Sequence, residues 1–521
     1  MLGLLAGGDA LRSGLVSAKT RQEKRQKGTA IHVGIRLHLI TAGLCTITHS
    51  KRFPTTILLI KFTTIRTYTM LSSTTKLIFT AARQMPRRII KPNHIRNLAT
   101  LTSDNLSSMS PPTSTPKSEP PMLPATLTFK TGQIFKGTSF GAPLARPLTG
   151  EVVFTTSLVG YPESMTDPSY RGQILCFTQP LVGNYGVPGP VKDQYGLLKY
   201  FESDGIQVKG ILVNDYATRY SHWNAVESLG TWCARHGVPA ITGLDTRAIT
   251  HILRDNGSTL GQIRVGCSPG PLKWQDPNVW NLAADVSVKD KVVFNSGGDV
   301  KIALIDCGVK QNIIRCLVKR GAEVTVVPWN HDVSAEPAYT YDGVFISNGP
   351  GDPRTLTKTV ANLQKLFAHY SSSNNPMPIF GICMGNLVLG LAAGFPVYKL
   401  PFGNRGHNQP ALDLFSGKCI ITSQNHGYAI DVTKGNPAIS AGWKPYFMNA
   451  NDFSNEGLRH TVYPWQSVQF HPEAKGGPLD SEYLFENFLM DARAYKRARN
   501  AALIAELLEK QQSDSAPKAK F

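Results

Sequence analysis

The sequence has little of what marks membrane proteins, disulfide-linked proteins or zinc proteins. Its 521 residues include eight cysteines, and no two of them form a C-x-x-C pair, which argues against a structural zinc site and a disulfide framework. No apolar run approaches the roughly 20 residues that span a bilayer, since FPTTILLIKF is short and contains Lys61. We therefore expect no metal site and no membrane-spanning segment in this chain.

Acidic residues are missing from a long stretch, Lys24 to Ser103. Residues 1–103 contain 17 Lys and Arg but 2 Asp and Glu, whereas the other 418 residues contain 38 and 34. The formal charge of +19 is thus concentrated near the N-terminus and is not spread over a folded surface. Nucleic-acid-binding domains carry their basic excess on a folded face, so we expect no nucleic-acid partner.

The basic leader has the composition of a mitochondrial transit peptide. The segment from Met70 to Ser103 is rich in Arg, Ser and Thr, with apolar residues between the charges. Such a cationic segment is drawn along a negative-inside membrane potential. A disordered basic tail is the other interpretation, and Met70 is a candidate start of translation. The transit-peptide interpretation predicts a protein of the mitochondrial matrix.

Composition and strand–helix rhythm divide the chain into five segments. A basic leader (1–103) and a Pro/Ser-rich linker (104–121) precede residues 122–290, where alternating strands are separated by Gly and Pro turns. In residues 301–490, apolar strands alternate with helices, and residues 491–521 predict a helical extension with a polar tail. The predicted fold class is α/β: an N-terminal mixed α/β domain, followed by a mostly parallel sheet covered by helices.

The motif G-x-C-x-G, centred on Cys383, predicts a nucleophile elbow. In that geometry a strand turns sharply into a helix, and small residues such as Gly381 and Gly385 are needed where the backbone is crowded. The N-terminus of the following helix would favour thiolate over thiol. A small buried thiol at a strand–helix junction is the alternative that the motif alone leaves open.

Two further elements complete a possible thiol site. In FHPE, His471 and Glu473 are two residues apart at what reads as the end of a strand, which would place both side chains on one face. A carboxylate beside an imidazole fixes its tautomer and stabilises the imidazolium. SNGPGDP (347–353) follows a predicted strand and offers backbone N–H groups for an oxyanion. A core histidine and an ordinary turn are the alternatives; together the three elements indicate thiol-dependent acyl transfer or amide hydrolysis.

The motifs SNGPGDP, GICMGN and FHPE, in this order, resemble the class I (triad) glutamine amidotransferases. In the preceding domain, LVGYPESMTDPSYRGQ and LDTRAITHILRDNG, together with PFGNRGHNQP and SQNHGYAID further on, are similar to the small chain of carbamoyl-phosphate synthase. Almost all of residues 122–490 is covered by the resemblance. The separate small chain and the leader resemble the fungal mitochondrial arginine-specific form.

The resemblance implies a role for each candidate residue. Cys383 attacks the glutamine side-chain amide, His471 transfers the proton, and Glu473 orients His471. The N–H groups of Gly351 and Met384 stabilise the oxyanion. The residues expected to contact glutamine are Ser169, Gly349, Gly351, Met384, Leu387, Asn425, Gly427 and Tyr428.

The resemblance also implies a partner. Ammonia would pass to a separate large chain that makes carbamoyl phosphate from bicarbonate and ATP for arginine biosynthesis, in a heterodimer. ATP and Mg²⁺ are expected in that large chain, and no cofactor and no metal are expected in this one.

One residue departs from the family pattern. The family usually has Gln four positions after the nucleophile, and Leu387 stands there. A lost polar contact to a buried substrate group costs about 1–3 kcal/mol, which predicts weaker glutamine binding with the chemistry intact. Three hypotheses follow: an active glutaminase subunit, a glutaminase-impaired partner that stabilises or regulates an ammonia-dependent large chain, and a different thiol hydrolase on the same fold.

Overall fold

The computed structural model describes most of the chain beyond the leader. The described residues are 118–267, 270, 274–371, 373–433 and 435–515. The predicted transit peptide, the leader, most of the linker and the end of the C-terminal tail lie outside the described residues. No helix in the described part is both long enough and apolar enough to cross a membrane.

The first domain contains eleven strands among its described residues. They are β1 (Pro124–Phe129), β2 (Ile134–Ser139), β3 (Leu148–Thr155), β4 (Gln173–Phe177), β5 (Leu181–Val182), β6 (Val187–Pro188), β7 (Gly210–Leu212), β8 (Asp215–Tyr216), β9 (Ala225–Glu227), β10 (Ala240–Thr242) and β11 (Thr259–Val265).

Seven of these strands close into a barrel in the order β1-β11-β3-β4-β7-β10-β2. The β1–β2 hairpin follows the predicted alternation, and β2 closes the barrel by pairing with β10. The pairs β3–β4, β4–β7 and β7–β10 are parallel, and the other pairs of the barrel are antiparallel. The domain is therefore mixed, as expected, but its sheet has no free edge.

The second domain also contains eleven described strands. They are β12 (Val292–Phe294), β13 (Lys301–Asp306), β14 (Glu323–Pro328), β15 (Gly343–Ile346), β16 (Ile379–Ile382), β17 (Val397–Asp413), β18 (Cys419–Ile430), β19 (Trp443–Pro445), β20 (Phe447–Asn449), β21 (Gly457–His460) and β22 (Trp465–Val468).

Eight of these strands form one sheet in the order β12-β14-β13-β15-β16-β22-β21-β19. The five central strands, β14, β13, β15, β16 and β22, are parallel, which confirms the predicted sheet. The sheet begins earlier than residue 301, because β12 pairs antiparallel with β14. β17, β18 and β20 form a separate three-stranded sheet.

Nine α-helices complete the described fold. They are α1 (Tyr161–Thr166), α2 (Leu229–Arg235), α3 (Thr246–Asn256), α4 (Leu282–Val286), α5 (Gln311–Val318), α6 (Thr357–Ser371), α7 (Met384–Ala393), α8 (Pro437–Ser440) and α9 (Tyr483–Ser515).

The helices bury both faces of the large sheet. Along β13, Ile302 and Leu304 pack with α5 and α9 on one face, whereas Ala303 and Ile305 pack with α6 and α7 on the other. Successive strand residues point to opposite faces, so a strand that is buried on both sides must be apolar throughout. The carboxyl ends of the parallel strands are left as the place for functional loops.

Candidate active site

Two neighbouring parallel strands bring Cys383 and His471 to the same edge of the sheet. β16 and β22 are in register, with Ile382 opposite Val468. Cys383 directly follows β16, and its N–H donates to Val468 O at 2.8 Å. His471 lies three residues beyond Val468. The sequence separates these residues widely, and the strand pairing places both at the carboxyl ends.

The backbone at Cys383 has the strained conformation of a nucleophile elbow. Its φ is 54° and its ψ is −100°, a region that costs a non-glycine residue about 1–3 kcal/mol. A Cβ at Gly381 would lie 2.6 Å from Gly385 O, and a Cβ at Gly385 would lie 2.3 Å from Ile346 O. Both contacts involve backbone atoms, so the two glycines are required as the motif predicts. The local conformation favours the nucleophile interpretation over an ordinary buried thiol.

The Cys383 thiol is buried and is not activated by its resting surroundings. Burial, reinforced by the Asp167 carboxylate, raises its pKa to about 12, against the smaller opposing effects of Lys310 and the Met384 N–H. The Sγ atom lies 3.6 Å from Asn425 O, which accepts from the thiol. The N–H of Met384 at the start of the following helix lowers the pKa, in the direction that the sequence predicts, but desolvation outweighs it. The thiol must lose its proton to a base during attack.

His471 and Glu473 form a buried hydrogen-bonded pair. His471 Nδ1 lies 2.7 Å from Glu473 Oε1. The prediction that both residues lie at the end of a strand is wrong, because β22 ends at Val468 and both lie in the turn that follows. This turn brings the two side chains together. With Nδ1–H donated to the carboxylate, Nε2 is an acceptor, and it is buried without a partner among the described residues. The imidazole is thereby arranged to take a proton on Nε2.

Lys310 is part of this site, although the sequence did not single it out. Its Nζ lies 2.9 Å from Glu473 Oε1 and 3.1 Å from His471 Nδ1. Burial would raise the pKa of Glu473, but Lys310 and His471 together hold it at about 2. The carboxylate therefore stays ionised at any working pH. The signal that could have identified Lys310 as a site residue is its position just beyond the carboxyl end of β13, where functional loops lie.

The SNGPGDP loop follows β15 and reaches the same edge of the sheet. Gly351 has a φ of 85°, in the left-handed region that favours glycine. A Cβ at Gly349 would lie 2.0 Å from Cys307 O, so the loop packs on the backbone after β13. Met384 begins α7, where N–H groups have no acceptor within the helix. Gly351 and Met384 thus both lie at this edge of the sheet, and their role as oxyanion donors stays a prediction.

The barrel domain supplies one wall of the site. Asn348 Nδ2 donates to Ser169 Oγ at 2.9 Å, and Asn425 Nδ2 donates to Asp167 Oδ2 at 3.1 Å. Asp167 also lies 3.7 Å from Lys310 Nζ. The predicted contribution of Ser169 from the first domain is thus consistent with the geometry, and Asp167 joins it. The site lies between the two domains.

One cavity collects all the predicted substrate contacts around Cys383. Its lining includes Ser169, Gly349, Gly351, Met384, Leu387, Asn425, Gly427 and Tyr428. The contacts of these residues with glutamine stay a prediction. Leu387 is buried at the cavity wall, and its N–H bonds to Cys383 O at 3.1 Å.

The same cavity has charged walls that sequence reasoning missed. Arg405 is buried, and its Nε has no partner among the described residues. Glu151 accepts from Lys399 Nζ at 2.5 Å and from Gln173 Nε2 at 2.9 Å. A buried guanidinium and a carboxylate in one cavity suit a ligand that carries both signs of charge. Arg405 lies opposite Asn425 in the β17–β18 pair, a register that the sequence does not reveal.

A second cavity shares Asn425 with the first and is also lined by His471. It is lined by Ser157, Gly160, Glu163, Glu202, His407 and Lys475, among others. Burial raises the pKa of Glu163 to about 7 and lowers that of His407 to about 4. The cavity is polar and lies next to the base of the candidate triad. In the described part of the chain, no cluster of His, Cys, Asp and Glu is arranged to hold a metal ion.

We expect alkylation of Cys383 by iodoacetamide to rise about tenfold per pH unit from pH 7 to pH 10, because the thiolate fraction grows that way below a pKa of about 12. Peptide mass spectrometry would follow each cysteine separately. Cys233, buried in the barrel domain, is the control, because its modification would signal unfolding. A plateau in the Cys383 rate near pH 7 would show instead that a resting thiolate is present.

Two family models match the chain. The model described as "Glutamine amidotransferase class-I" matches residues 303–491, and "Carbamoyl-phosphate synthase small chain, CPSase domain" matches residues 127–263. The first covers most of the large sheet and the candidate triad, and the second covers most of the barrel.

Similar curated proteins share the name "Carbamoyl phosphate synthase arginine-specific small chain". The protein of Phaeosphaeria nodorum is 56% identical over 376 residues, which is 71% of this chain and 76% of that protein. That of Schizosaccharomyces pombe is 55% identical over 383 residues, 72% of this chain and 89% of its own. That of Emericella nidulans is 51% identical over 417 residues, which is 77% of this chain and 89% of that protein. The chain therefore belongs to the family of carbamoyl-phosphate synthase small chains.

Proposed function

We propose that this chain is the glutaminase subunit of an arginine-specific carbamoyl-phosphate synthase. It hydrolyses glutamine and delivers ammonia to a large chain that makes carbamoyl phosphate. The observation that carries the proposal is the strained Cys383 elbow beside the His471–Glu473 pair, within a matching amidotransferase domain.

The first chemical step forms a thioester. Sγ of Cys383 attacks the side-chain amide carbon of glutamine while Nε2 of His471 takes the thiol proton. Because the resting pKa of the thiol is about 12, attack and proton removal are coupled. The oxyanion that forms accepts from the N–H groups of Gly351 and Met384. The C–N bond then breaks, and the leaving nitrogen takes the proton from the imidazolium.

The second step hydrolyses the thioester. A water molecule gives a proton to His471 Nε2 and attacks the glutamyl carbon. The C–S bond then breaks, the imidazolium returns its proton to Sγ, and glutamate is released. Glu473 holds the imidazole orientation and stabilises the imidazolium in both steps. Lys310 lowers the pKa of Glu473 and so keeps its carboxylate ionised.

Charged residues of the cavity account for substrate recognition despite Leu387. Free glutamine carries an α-carboxylate and an α-ammonium group, and Arg405 and Glu151 offer the complementary charges within the cavity. Leu387 supplies an apolar wall where the family usually has a polar contact. The glutaminase-impaired alternative is not favoured, because the triad and its supporting glycines are complete and the amidotransferase model matches residues 303–491, which include them.

The partner is a separate large chain, with which we propose a heterodimer. ATP and Mg²⁺ act in that chain, and this one uses no cofactor in the mechanism above. Service in arginine biosynthesis is supported by the name that the similar fungal proteins share.

Replacing the nucleophile provides the most direct test of the function. We expect Cys383→Ser to lower glutamine-dependent carbamoyl phosphate formation by the purified pair at least about a thousandfold, because catalysis by a triad is lost when its nucleophile is removed. Synthesis from ammonium chloride should stay near the wild-type rate. Wild-type glutamine-dependent activity in the variant would contradict the proposal.

Replacing the cavity arginine tests substrate recognition. We expect Arg405→Met to raise the KM for glutamine about 10- to 100-fold with kcat within a few-fold, since a hydrogen bond to a charged group contributes about 1.5–3 kcal/mol. Arg459→Met is the matched control, because Arg459 lies on β21 outside the cavity. Equal KM values for the two variants would argue against the charged recognition.

The leader supports a location in the mitochondrial matrix, because its Arg, Ser and Thr content is typical of a transit peptide. We expect the protein from isolated mitochondria to begin beyond Arg96, as measured by N-terminal sequencing. A mature chain that retains residues 70–96, found in the cytosolic fraction, would contradict import.

A further inference from the structure

The barrel domain exposes several large apolar side chains. Trp223 is 83% exposed, Leu158 is 72%, Val159 is 54% and Leu181 is 40%. Isolated exposed apolar residues are common on proteins, whereas contiguous groups mark interaction sites. The question is therefore whether these four side chains form one surface.

Shared contacts join the four residues. Leu158, Val159 and Leu181 line one cleft together with Tyr185. The Tyr185 ring lies 6.4 Å from the His222 ring, which lies 5.6 Å from the ring of Trp223. We call this group of neighbouring residues the Trp223 face; its members are Leu158, Val159, Leu181, Tyr185, His222 and Trp223.

The Trp223 face borders the second cavity of the active site. Ser157 and Gly160 line that cavity, and the two residues between them are the exposed Leu158 and Val159. The N–H groups of Gly160 and Tyr161 both donate to Tyr185 Oη, at 2.9 and 3.0 Å. The loop that forms the cavity rim is thus fixed to the aromatic part of the face. A partner seated there would cover the rim of a cavity that contains His471.

A cationic groove continues the same surface. Thr156, next to the rim loop, lines a groove with Arg247, His251 and Arg254. The three basic residues are spaced four and three positions apart on α3, so they share one helix face. Among the described residues, none of the three has a carboxylate partner, although Arg254 lies 5.6 Å from the centre of the Phe402 ring. The charges of Arg247 and Arg254 are therefore available to an acidic surface.

We propose that the Trp223 face and the Arg247 groove dock the ammonia-using large chain, an inference that rests on the proposed function. The partner places apolar side chains in the Leu158–Leu181 cleft and against Trp223, and acidic side chains in the groove. Exposed Trp and desolvated apolar clusters supply most of the binding energy of interfaces, while complementary charges speed association. Docking here surrounds the cavity next to His471, where ammonia is released, and limits its loss to solvent.

Purified wild-type and variant chains can be titrated with the purified large chain and followed by sedimentation velocity. We expect Leu158→Asp and Trp223→Ala each to raise the Kd at least tenfold. Glutaminase activity of the isolated small chain and ammonia-dependent synthesis by the large chain should not change, since neither residue belongs to the triad or the substrate cavity. Val462→Asp is the matched control, because Val462 is 76% exposed and lies before β22, at the opposite end of that strand from His471.

The groove is tested separately by Arg247→Glu, with Lys444→Glu on β19 as the control of equal charge change. We expect Arg247→Glu to slow association about tenfold at low salt and to reduce its dependence on ionic strength. Circular dichroism would establish that each variant is folded.

Three results would overturn the inference. If both apolar variants bind the large chain as wild type does, the surface is wrong although the proposed function stands. If Trp223→Ala instead converts a dimer of the small chain to a monomer with large-chain affinity unchanged, the face joins two copies of this chain. If the wild-type chain binds no large chain while it still hydrolyses glutamine, both the proposed partner and the proposed docking surface are wrong.

Discussion

The parallel pairing of β16 with β22 is the constraint on which the site depends. Register places Ile382 opposite Val468, and one bond, from Cys383 N–H to Val468 O, ties the elbow to the strand that precedes His471. Both faces of these strands are buried in apolar cores, and this close packing holds the strands in the arrangement that the catalytic geometry needs. Strain at Cys383 persists because that surrounding structure holds it.

Buried charge is the second organising feature of the site. Lys310 contacts Glu473, His471 and, at longer range, Asp167 of the barrel domain, so it joins the two domains at the triad. Burial holds the pKa of the thiol high, and Lys310 and His471 hold the pKa of Glu473 low, so we propose that the imidazole carries the moving proton. The walls of the substrate cavity carry charges of both signs, which suit a zwitterionic ligand.

Sequence patterns predicted what is local and missed what depends on long-range pairing. The G-x-C-x-G motif predicted the elbow because its glycines answer a local steric demand, and the strand–helix rhythm predicted the parallel sheet. Closure of the barrel depends on pairing β1 with β11, which are far apart in the chain, and alternation alone does not encode it. Nothing in the sequence distinguishes Arg405 and Lys310 from other basic residues. Only the folded sheets bring them near Cys383. The resting state of the thiol depends on burial, which the motif does not report.

We propose that Cys383 becomes covalently bound to the glutamyl group after His471, paired with Glu473, removes its proton. Acid quenching of the enzyme during turnover, followed by peptide mass spectrometry, measures this directly. We expect a glutamyl adduct on the Cys383 peptide that appears with glutamine and disappears when glutamine is exhausted. Turnover of glutamine with no adduct on Cys383, or with an adduct on another residue, would contradict it.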